Sequence, residues 1–151
     1  WDYSAIETTL RDRSTFTQEF RLLENINNRS SFVLGIYFKN QIENYDLNGY
    51  WSGDYSLAGK FENLNIAGYF QMDKTLSNEI NFIINARLDH NRINYSSSNY
   101  YGEINDSVGN KDNNWGIKSS VSYKLNPKSN LYLSLSRGFK AGGINQNPYL
   151  S

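Results

Sequence analysis

Apolar and polar residues alternate with a period of two in six separate segments of this 151-residue chain. A β-strand whose two faces meet different surroundings has this period, because successive side chains point to opposite sides. In the second segment, Phe32, Leu34, Ile36 and Phe38 share one face, and Val33, Gly35, Tyr37 and Lys39 share the other. The predicted strands lie at about residues 15–24, 31–41, 63–73, 79–89, 115–125 and 130–141.

The connections between the predicted strands alternate between short and long. Segments 24–30, 74–78 and 126–129 are short, and the third contains an Asn-Pro turn dipeptide. Segments 41–62 and 90–114 are each longer than twenty residues, and we predict long polar loops there. An up-and-down sheet then has every short turn at one end and every long loop at the other. Bacterial outer-membrane barrels have this asymmetry, with short periplasmic turns and long extracellular loops.

Aromatic residues make up 15% of the chain and fall near the ends of the predicted strands. The band toward the long loops contains Phe16, Phe38, Trp115 and Phe139, and the band toward the short turns contains Phe32, Phe70, Phe82 and Tyr123. Two aromatic bands around an aliphatic middle are typical of the girdles at the two lipid interfaces. We predict an all-β, antiparallel, up-and-down transmembrane β-barrel in the bacterial outer membrane, in contact with its lipid. A soluble β-sandwich binding module is the alternative, because alternation alone does not separate the two.

Six strands are too few to close a membrane barrel, since the smallest have eight. The first and last strands of such a sheet would keep open edges, which lipid does not tolerate. We therefore expect residues 1–151 to be an interior or C-terminal part of a larger barrel.

Composition and motifs argue against several other functions. The formal net charge is zero, which gives no reason to expect nucleic acid as a partner. There is no cysteine for thiolate chemistry, and His90, the single histidine, is a poor basis for a metal site. Segment 106–114 does not match a calcium loop, and segment 138–143 does not match a phosphate loop. We predict no enzyme activity, no metal and no cofactor.

Seven charged residues fall on the polar faces of the predicted strands: Glu19, Arg21, Lys39, Arg87, Asp89, Lys118 and Lys124. We predict that they line the lumen and pair with each other or with a plug inside the barrel, because unpaired buried charges are costly. Arg137 is the exception, since strict alternation points it at lipid, at a cost of about 2–4 kcal/mol at the midplane and little near an interface. Either a bulge near Gly138 or a position close to the outer interface resolves this conflict.

The aromatic residues of the two predicted long loops are the candidates for ligand contact. Tyr45, Tyr50, Trp51 and Tyr55 cluster in the first loop, and Tyr95, Tyr100 and Tyr101 cluster in the second. Aromatic rings can stack on sugars or chelate rings and provide contact area at a low entropy cost. The alternative is that these rings pack the loops together or lie at the membrane interface.

Two stretches carry a family resemblance. Residues 16–22 resemble the Phe-x-Gln-Glu-(Leu/Phe)-Arg-(Leu/Ile) strand of TonB-dependent receptors, and the matching positions are Phe16, Gln18, Glu19 and Arg21. Residues 131–145 are similar to the family's Tyr-x-Ser-x-Ser-(Lys/Arg)-Gly-(Phe/Tyr)-Lys-x-Gly-Gly-(Phe/Ile)-Asn segment, with matches at Ser136, Arg137, Gly138, Phe139, Lys140, Gly142, Gly143 and Asn145. Segments 67–71 and 85–89 match intervening family strands less closely.

The resemblance implies a 22-stranded barrel plugged by an N-terminal domain. It also implies uptake of a scarce ligand such as a ferric siderophore, haem, cobalamin or a glycan, with energy delivered through TonB. The plug domain and the TonB-binding segment are not recognisable in this sequence, so we expect that this part of the protein does not transport alone. A passive porin-like barrel without a plug is the alternative function.

Overall fold

A computed structural model describes residues 6–50, 54–99 and 105–144, and in these ranges the chain forms one antiparallel β-sheet. Its strands are β1 (Ile6–Asn27), β2 (Ser30–Tyr50), β3 (Asp54–Thr75), β4 (Ile80–Asn99), β5 (Asn105–Asn126) and β6 (Ser129–Arg137). Each strand pairs with its neighbours in sequence, in the order β1-β2-β3-β4-β5-β6. The predicted all-β, up-and-down architecture is confirmed.

β1 to β5 are about twice as long as predicted, β6 is shorter because it ends at Arg137 and not at Ala141, and the two predicted long loops are wrong. β1 to β5 contain 20 to 22 residues each. Segments 41–62 and 90–114 are mostly the arms of two long hairpins, in unbroken register through pairs such as Tyr45 with Gly59 and Arg92 with Lys111. The alternation fades there because both faces carry Asn, Ser and charged residues. Backbone hydrogen bonding continues regardless of this loss of pattern.

The β1–β2 and β5–β6 turns have the same construction. The side-chain Oδ1 of Asn27 accepts the backbone N–H of Arg29 at 2.9 Å, and Oδ1 of Asn126 accepts that of Lys128 at 2.9 Å. Asparagine favours tight turns because its side chain closes a ring with the backbone two residues on. In both hairpins the register shifts by one residue immediately before the asparagine, as a β-bulge does.

The β3–β4 turn is held by a serine. Oγ of Ser77 accepts the backbone N–H groups of Glu79 and Ile80, at 3.2 and 3.1 Å. The backbone N–H of Thr75 donates to the carbonyl oxygen of Arg29 at 2.8 Å and so joins this turn to the β1–β2 turn. All three turns lie at one end of the sheet, which we call the turn end; the opposite end is the far end.

The sheet has two distinct faces. The inner face contains Glu19, Tyr37, Tyr69, Arg87 and Lys118 with the residues in phase with them, and the outer face contains the alternate residues. Every buried side chain in the described part of the chain lies on the inner face: Glu43, Tyr45, Leu57, Ala67, Asp89, Asn91, Ile93, Tyr95, Ser97 and Ser120. A curled sheet crowds side chains on its concave side, so the inner face is the concave one.

The outer face near the turn end is apolar and exposed, with Phe20 at 68%, Ile36 at 60%, Leu88 at 68% and Leu135 at 81% accessibility. Seven of the eight residues predicted for the two aromatic bands lie on this face, and Phe139 does not. Phe16 packs edge-on against Phe38 at 6.0 Å, and Phe32 lies 6.4 Å from Phe70. From Phe32 to Phe38, and from Trp115 to Tyr123, the rows are about 20–26 Å apart along the strands. The described residues contain no helix that is long and apolar enough to cross a membrane.

Candidate ligand-facing surface

A tyrosine crosses a neighbouring strand on the inner face near the turn end. Tyr69 on β3 lies over Gly35 on β2, and its hydroxyl donates to Oε1 of Glu19 on β1 at 2.6 Å. The crossing requires glycine, because a Cβ at Gly35 would lie 2.1 Å from Cζ of Tyr69. Oε2 of the same Glu19 carboxylate accepts a hydrogen bond from Nη2 of Arg21 at 2.7 Å. Three strands are thereby tied together by side chains as well as by backbone.

A second crossing of the same kind occurs toward the far end. Tyr45 on β2 lies over Gly59 on β3, where a Cβ would come within 2.3 Å of the ring, and reaches Tyr95 on β4. The two tyrosine rings stack at 6.4 Å with an interplanar angle of 10°, and their hydroxyls hydrogen-bond to each other. Burial raises the pKa of the Tyr45 phenol, and the hydrogen bond with Tyr95 raises it further. Leu57 completes the buried cluster.

A buried carboxylate supports the second crossing. Glu43, 3% exposed, accepts hydrogen bonds from Nη1 of Arg11 at 3.2 Å and from Nε of Arg13 at 2.6 Å. The Arg11 guanidinium also lies 6.0 Å from the centroid of the Tyr45 ring. The carboxylate thus holds one arginine against the ring, and both positive charges are partly compensated.

Between the two crossings lies a third polar group. Arg87 donates from Nε and Nη2 to both carboxylate oxygens of Asp89, at 2.7 and 2.8 Å. Its guanidinium reaches across β3 and lies 5.9 Å from the ring centroid of Tyr37 on β2. An open groove of about 760 Å³ runs beside this group, with Glu19, Arg21, Tyr69, Arg87 and Lys118 among its lining residues.

After β6, residues 138–144 leave the sheet and run along its inner face, and we call this segment the strap. The Phe139 ring lies 3.5 Å from where a Cβ would stand on inner-face Gly116, so it does not follow the alternation of a continuing strand. The backbone N–H of Gly142 donates to Oδ2 of Asp112 on β5 at 3.0 Å. Ile144 packs against the Tyr45, Leu57 and Tyr95 cluster. The strap therefore covers part of the inner face at the far end.

A protein-family model described as TonB dependent receptor-like, beta-barrel, matches residues 2–150. The chain belongs to this family. The solved structure of the ferric yersiniabactin uptake receptor FyuA from Yersinia pestis is similar, with a TM-score of 0.76 and 18% sequence identity. The match covers 88% of this chain and 22% of that chain, so the sequence spans about a fifth of the length of FyuA. At this identity the likeness shows the fold alone. No curated protein sequence matches the chain.

In a TonB-dependent receptor barrel, the concave inner face is the lumenal face and the outer face meets lipid. The seven charged residues predicted to line the lumen all lie on the inner face by register. Two pairs form among them, Arg21 with Glu19 and Arg87 with Asp89. The sequence prediction did not include Arg11, Arg13 and Glu43 among the lumen residues. Arg11 and Arg13 precede the first predicted strand, and Glu43 falls in the first predicted loop. Their in-phase spacing with Tyr45 and Tyr95 was the available signal.

The tyrosines predicted for ligand contact do not all lie on the same face of the sheet. Tyr45 and Tyr95, predicted in separate loops, are brought together on the inner face of adjacent hairpins. Tyr50 lies at the end of β2 on the outer face, 55% exposed and away from this pair. The backbone of Tyr55 belongs to β3. Trp51, Tyr100 and Tyr101 lie outside the described residues, as does Asn145 of the second motif.

The first motif of the receptor barrel divides by face. Glu19 and Arg21 are inner-face partners, whereas Phe16 is on the outer face, paired with Phe38. Gln18 is also on the outer face, and its side chain donates to the carbonyl oxygen of Glu19 at 3.4 Å. The alternation in this motif is therefore the alternation of lumen and lipid.

The structure corrects the predicted face of one residue in the second motif, Phe139, and settles the face of another, Arg137. Phe139 was predicted in the outer-face aromatic band and is instead on the inner face, because β6 ends at Arg137 and the chain turns inward at Gly138. Arg137 stays on the outer face, with its guanidinium 3.4 Å from the Trp115 ring centroid and Nη1 donating to the Trp115 carbonyl oxygen at 3.0 Å. It thus lies at the level of the far-end aromatic row, where a charge costs little. Ser136, Lys140 and Gly143 are exposed.

Among the described residues, no three His, Asp or Glu side chains are grouped as metal ligands. Nδ1 of His90 is 2.7 Å from Oδ1 of Asn113, its cross-strand partner on β5.

Proposed function

We propose that this chain is part of the barrel wall of a bacterial outer-membrane receptor that takes up a scarce small molecule by energy-coupled transport. The observation that carries the proposal is the outer face, where exposed apolar side chains lie between two aromatic rows. An apolar surface of this extent is costly in water and favourable in lipid. The plug domain and TonB are proposed as partners on the basis of the family.

Cysteine labelling tests the membrane position, because the 151 residues contain no cysteine. In the full-length receptor without other cysteines, Ile36→Cys and Leu135→Cys are compared with Lys39→Cys on the inner face. A fluorophore at the outer-face sites should be quenched by lipids that carry a quencher on the acyl chain, and one at Lys39 should not. Equal quenching at inner-face and outer-face sites would refute the membrane-spanning position.

For the ligand, we propose contact at the far end of the lumen, near Tyr45 and Tyr95. Their stacked rings and the Arg11 guanidinium provide an aromatic surface with an adjacent positive charge. Because both tyrosines are buried and Ile144 packs against them, ligand contact requires the strap to move or the ligand to bind at its margin. The same burial equally supports the alternative, in which these rings pack the hairpins together.

Binding and uptake are tested with the full-length receptor and three probes: ferric yersiniabactin, haemin and cyanocobalamin. Tyr45→Ala should weaken binding of the recognised probe, measured by quenching of intrinsic fluorescence, whereas Tyr50→Ala should leave it unchanged. Cellular accumulation of that probe should require TonB. Accumulation that is equal with and without TonB would instead identify a passive pore.

A further inference from the structure

The strap is held less firmly than the strands on which it lies. Residues 138–143 are exposed, and Ile144 is half-buried. Within the described part of the chain, the strap backbone forms one hydrogen bond, from the Gly142 N–H to Oδ2 of Asp112 at 3.0 Å, which we call the latch. The strap contains three glycines and one alanine, which have little side chain to pack. Segments with few buried contacts and few backbone hydrogen bonds open locally at a low free-energy cost.

Opening of the latch leaves no charge without a partner. Oδ2 of Asp112 also accepts a hydrogen bond from Nδ2 of Asn110 at 2.8 Å, and this contact remains when Gly142 moves away. At the start of the strap, a Cβ on Gly138 would meet nothing within 4 Å, so no neighbouring side chain holds the point where the strap leaves β6. The latch can therefore open without the penalty of a buried, unsatisfied polar group.

The strap covers the tyrosine pair near the far end. Tyr45 is 7% exposed and Tyr95 is 4% exposed. Leu47 and Phe61 pack against the same cluster, but they belong to β2 and β3, the strands that build it. Ile144 comes from the strap. It is therefore the part of this cover that can leave without any change in the pairing of the strands.

We propose that the strap is a displaceable cover of the ligand site: the latch holds it over Tyr45 and Tyr95 in the empty receptor, and an apolar part of the ligand takes the place of the Ile144 side chain. The strap then competes with the ligand and forms no part of its site. The apparent affinity falls with the fraction of receptors whose site is covered, and a bound ligand displaces the strap in turn. This inference rests on the proposed ligand contact near the two tyrosines.

A reversible disulfide tests whether the strap must move. In the full-length receptor without other cysteines, Asn110→Cys is combined with Gly142→Cys. A Cβ at Gly142 would lie 2.4 Å from Nδ2 of Asn110, which brings the two new sulfur atoms within bonding reach. Of ferric yersiniabactin, haemin and cyanocobalamin, the probe that wild type binds should bind the oxidised form about tenfold more weakly, and reduction should restore the affinity. Asn110→Cys alone, treated with the same oxidant, should match wild type.

Weakening the latch should have the opposite effect. Gly142→Ala should strengthen binding of that probe about fivefold, from the usual net strength of one hydrogen bond. Ile144→Ala should also strengthen it, because the competing side chain is shortened. Gly143→Ala is the control, since a Cβ at that position meets nothing within 4 Å. Bound probe should accelerate hydrogen exchange of residues 138–144, whereas a segment that forms part of the binding site would be protected.

Hydroxyl-radical footprinting gives a measurement that needs no ligand. Tyr45 and Tyr95 should be labelled about fivefold faster in Gly142→Ala than in the oxidised disulfide form, because the strap shields them only while it is held in place. Equal labelling of the two forms overturns the proposal, whichever probe the receptor recognises. Equal affinity of the oxidised and reduced forms also overturns it, as does weaker binding by Ile144→Ala, which would make the strap a part of the ligand site.

Dependence of uptake on TonB separates this inference from the proposed function. Accumulation of the probe by wild type that does not require TonB refutes energy-coupled uptake and leaves the strap to be decided by the binding and labelling results. TonB-dependent accumulation together with equal affinity of the oxidised and reduced forms refutes this inference alone.

Discussion

The hydroxyl of Tyr69 reaches the carboxylate of Glu19 across the full width of β2, at 2.6 Å, with Gly35 beneath the ring. Backbone hydrogen bonds join only adjacent strands, whereas this contact joins β1 to β3. Tyr45 and Tyr95 repeat the arrangement across Gly59, joining β2 to β4. Each crossing spans the concave side of the sheet and therefore resists changes in its curvature.

Gly35→Ala should destabilise the receptor by about 1–3 kcal/mol, as overpacking commonly does. The new methyl group would lie 2.1 Å from Cζ of Tyr69 and would force the ring away from Glu19. Urea unfolding in lipid vesicles measures the change. Gly68→Ala is the matched control, since a Cβ at Gly68 meets nothing within 4 Å. Equal losses for the two variants would refute the crossing.

Alkaline pH should weaken the far-end crossing. The folded-state pKa of Tyr45 is raised above the ordinary value of 10.0, mainly by burial and then by the Tyr95 hydrogen bond. Its contribution to stability is therefore complete below about pH 10 and is lost as pH rises toward the folded-state pKa. Tyr45→Phe should flatten the decline in stability above about pH 10, measured by urea unfolding at several pH values. An unchanged pH dependence would contradict the assignment.

Glu43→Gln should cost about 1 kcal/mol, less than a fully buried ion pair, because both arginine side chains are 58% exposed and screened by water. The loss should shrink at high salt. Glu62→Gln is the control, since this carboxylate is on the outer face, 39% exposed, with a single salt bridge to Lys60. Urea unfolding of both variants measures the two losses. Comparable effects of the two substitutions would show that the burial of Glu43 has no energetic consequence.

Gly142→Ala should release the strap from the inner face. A Cβ at Gly142 would lie 2.4 Å from Nδ2 of Asn110 and 2.6 Å from Oδ2 of Asp112, the acceptor of the Gly142 N–H. Hydrogen exchange of residues 138–144 should accelerate. Gly143→Ala, where a Cβ meets nothing within 4 Å, should leave exchange as in wild type. Identical exchange in the two variants would mean that the strap is not held by this contact.

The sequence predicts the membrane-level half of each strand well and the far-end half poorly. Between Phe32 and Phe38 one face meets apolar surroundings and the other meets polar ones, so apolar and polar residues alternate along the sequence. Beyond Gln41 both faces carry polar residues, and no contrast remains from which to infer a strand. The pairing of Tyr45 with Tyr95 was not predictable for this reason, since it depends on the register of three strands.

Neither alternative for Arg137, a bulge near Gly138 or a position close to the outer interface, includes the inward turn of the chain at Gly138. Alternation alone places both Arg137 and Phe139 on the outer face. The structure keeps Arg137 there because the Trp115 ring supports its guanidinium, and it moves Phe139 to the inner face beside Gly116. Both outcomes depend on contacts with β5 that local sequence does not encode.

The three turns are closed by their own residues, and each strand pairs only with the strands next to it in sequence. Each hairpin therefore contains, within one short stretch of chain, the signal that starts it and the register that extends it. Contacts so close in sequence cost little loop entropy and form quickly. Each hairpin can then form by pairing first at its turn and afterwards toward the far end. A substitution at Asn27 or Asn126 should therefore lower the rate of folding more than it lowers the stability of the folded sheet.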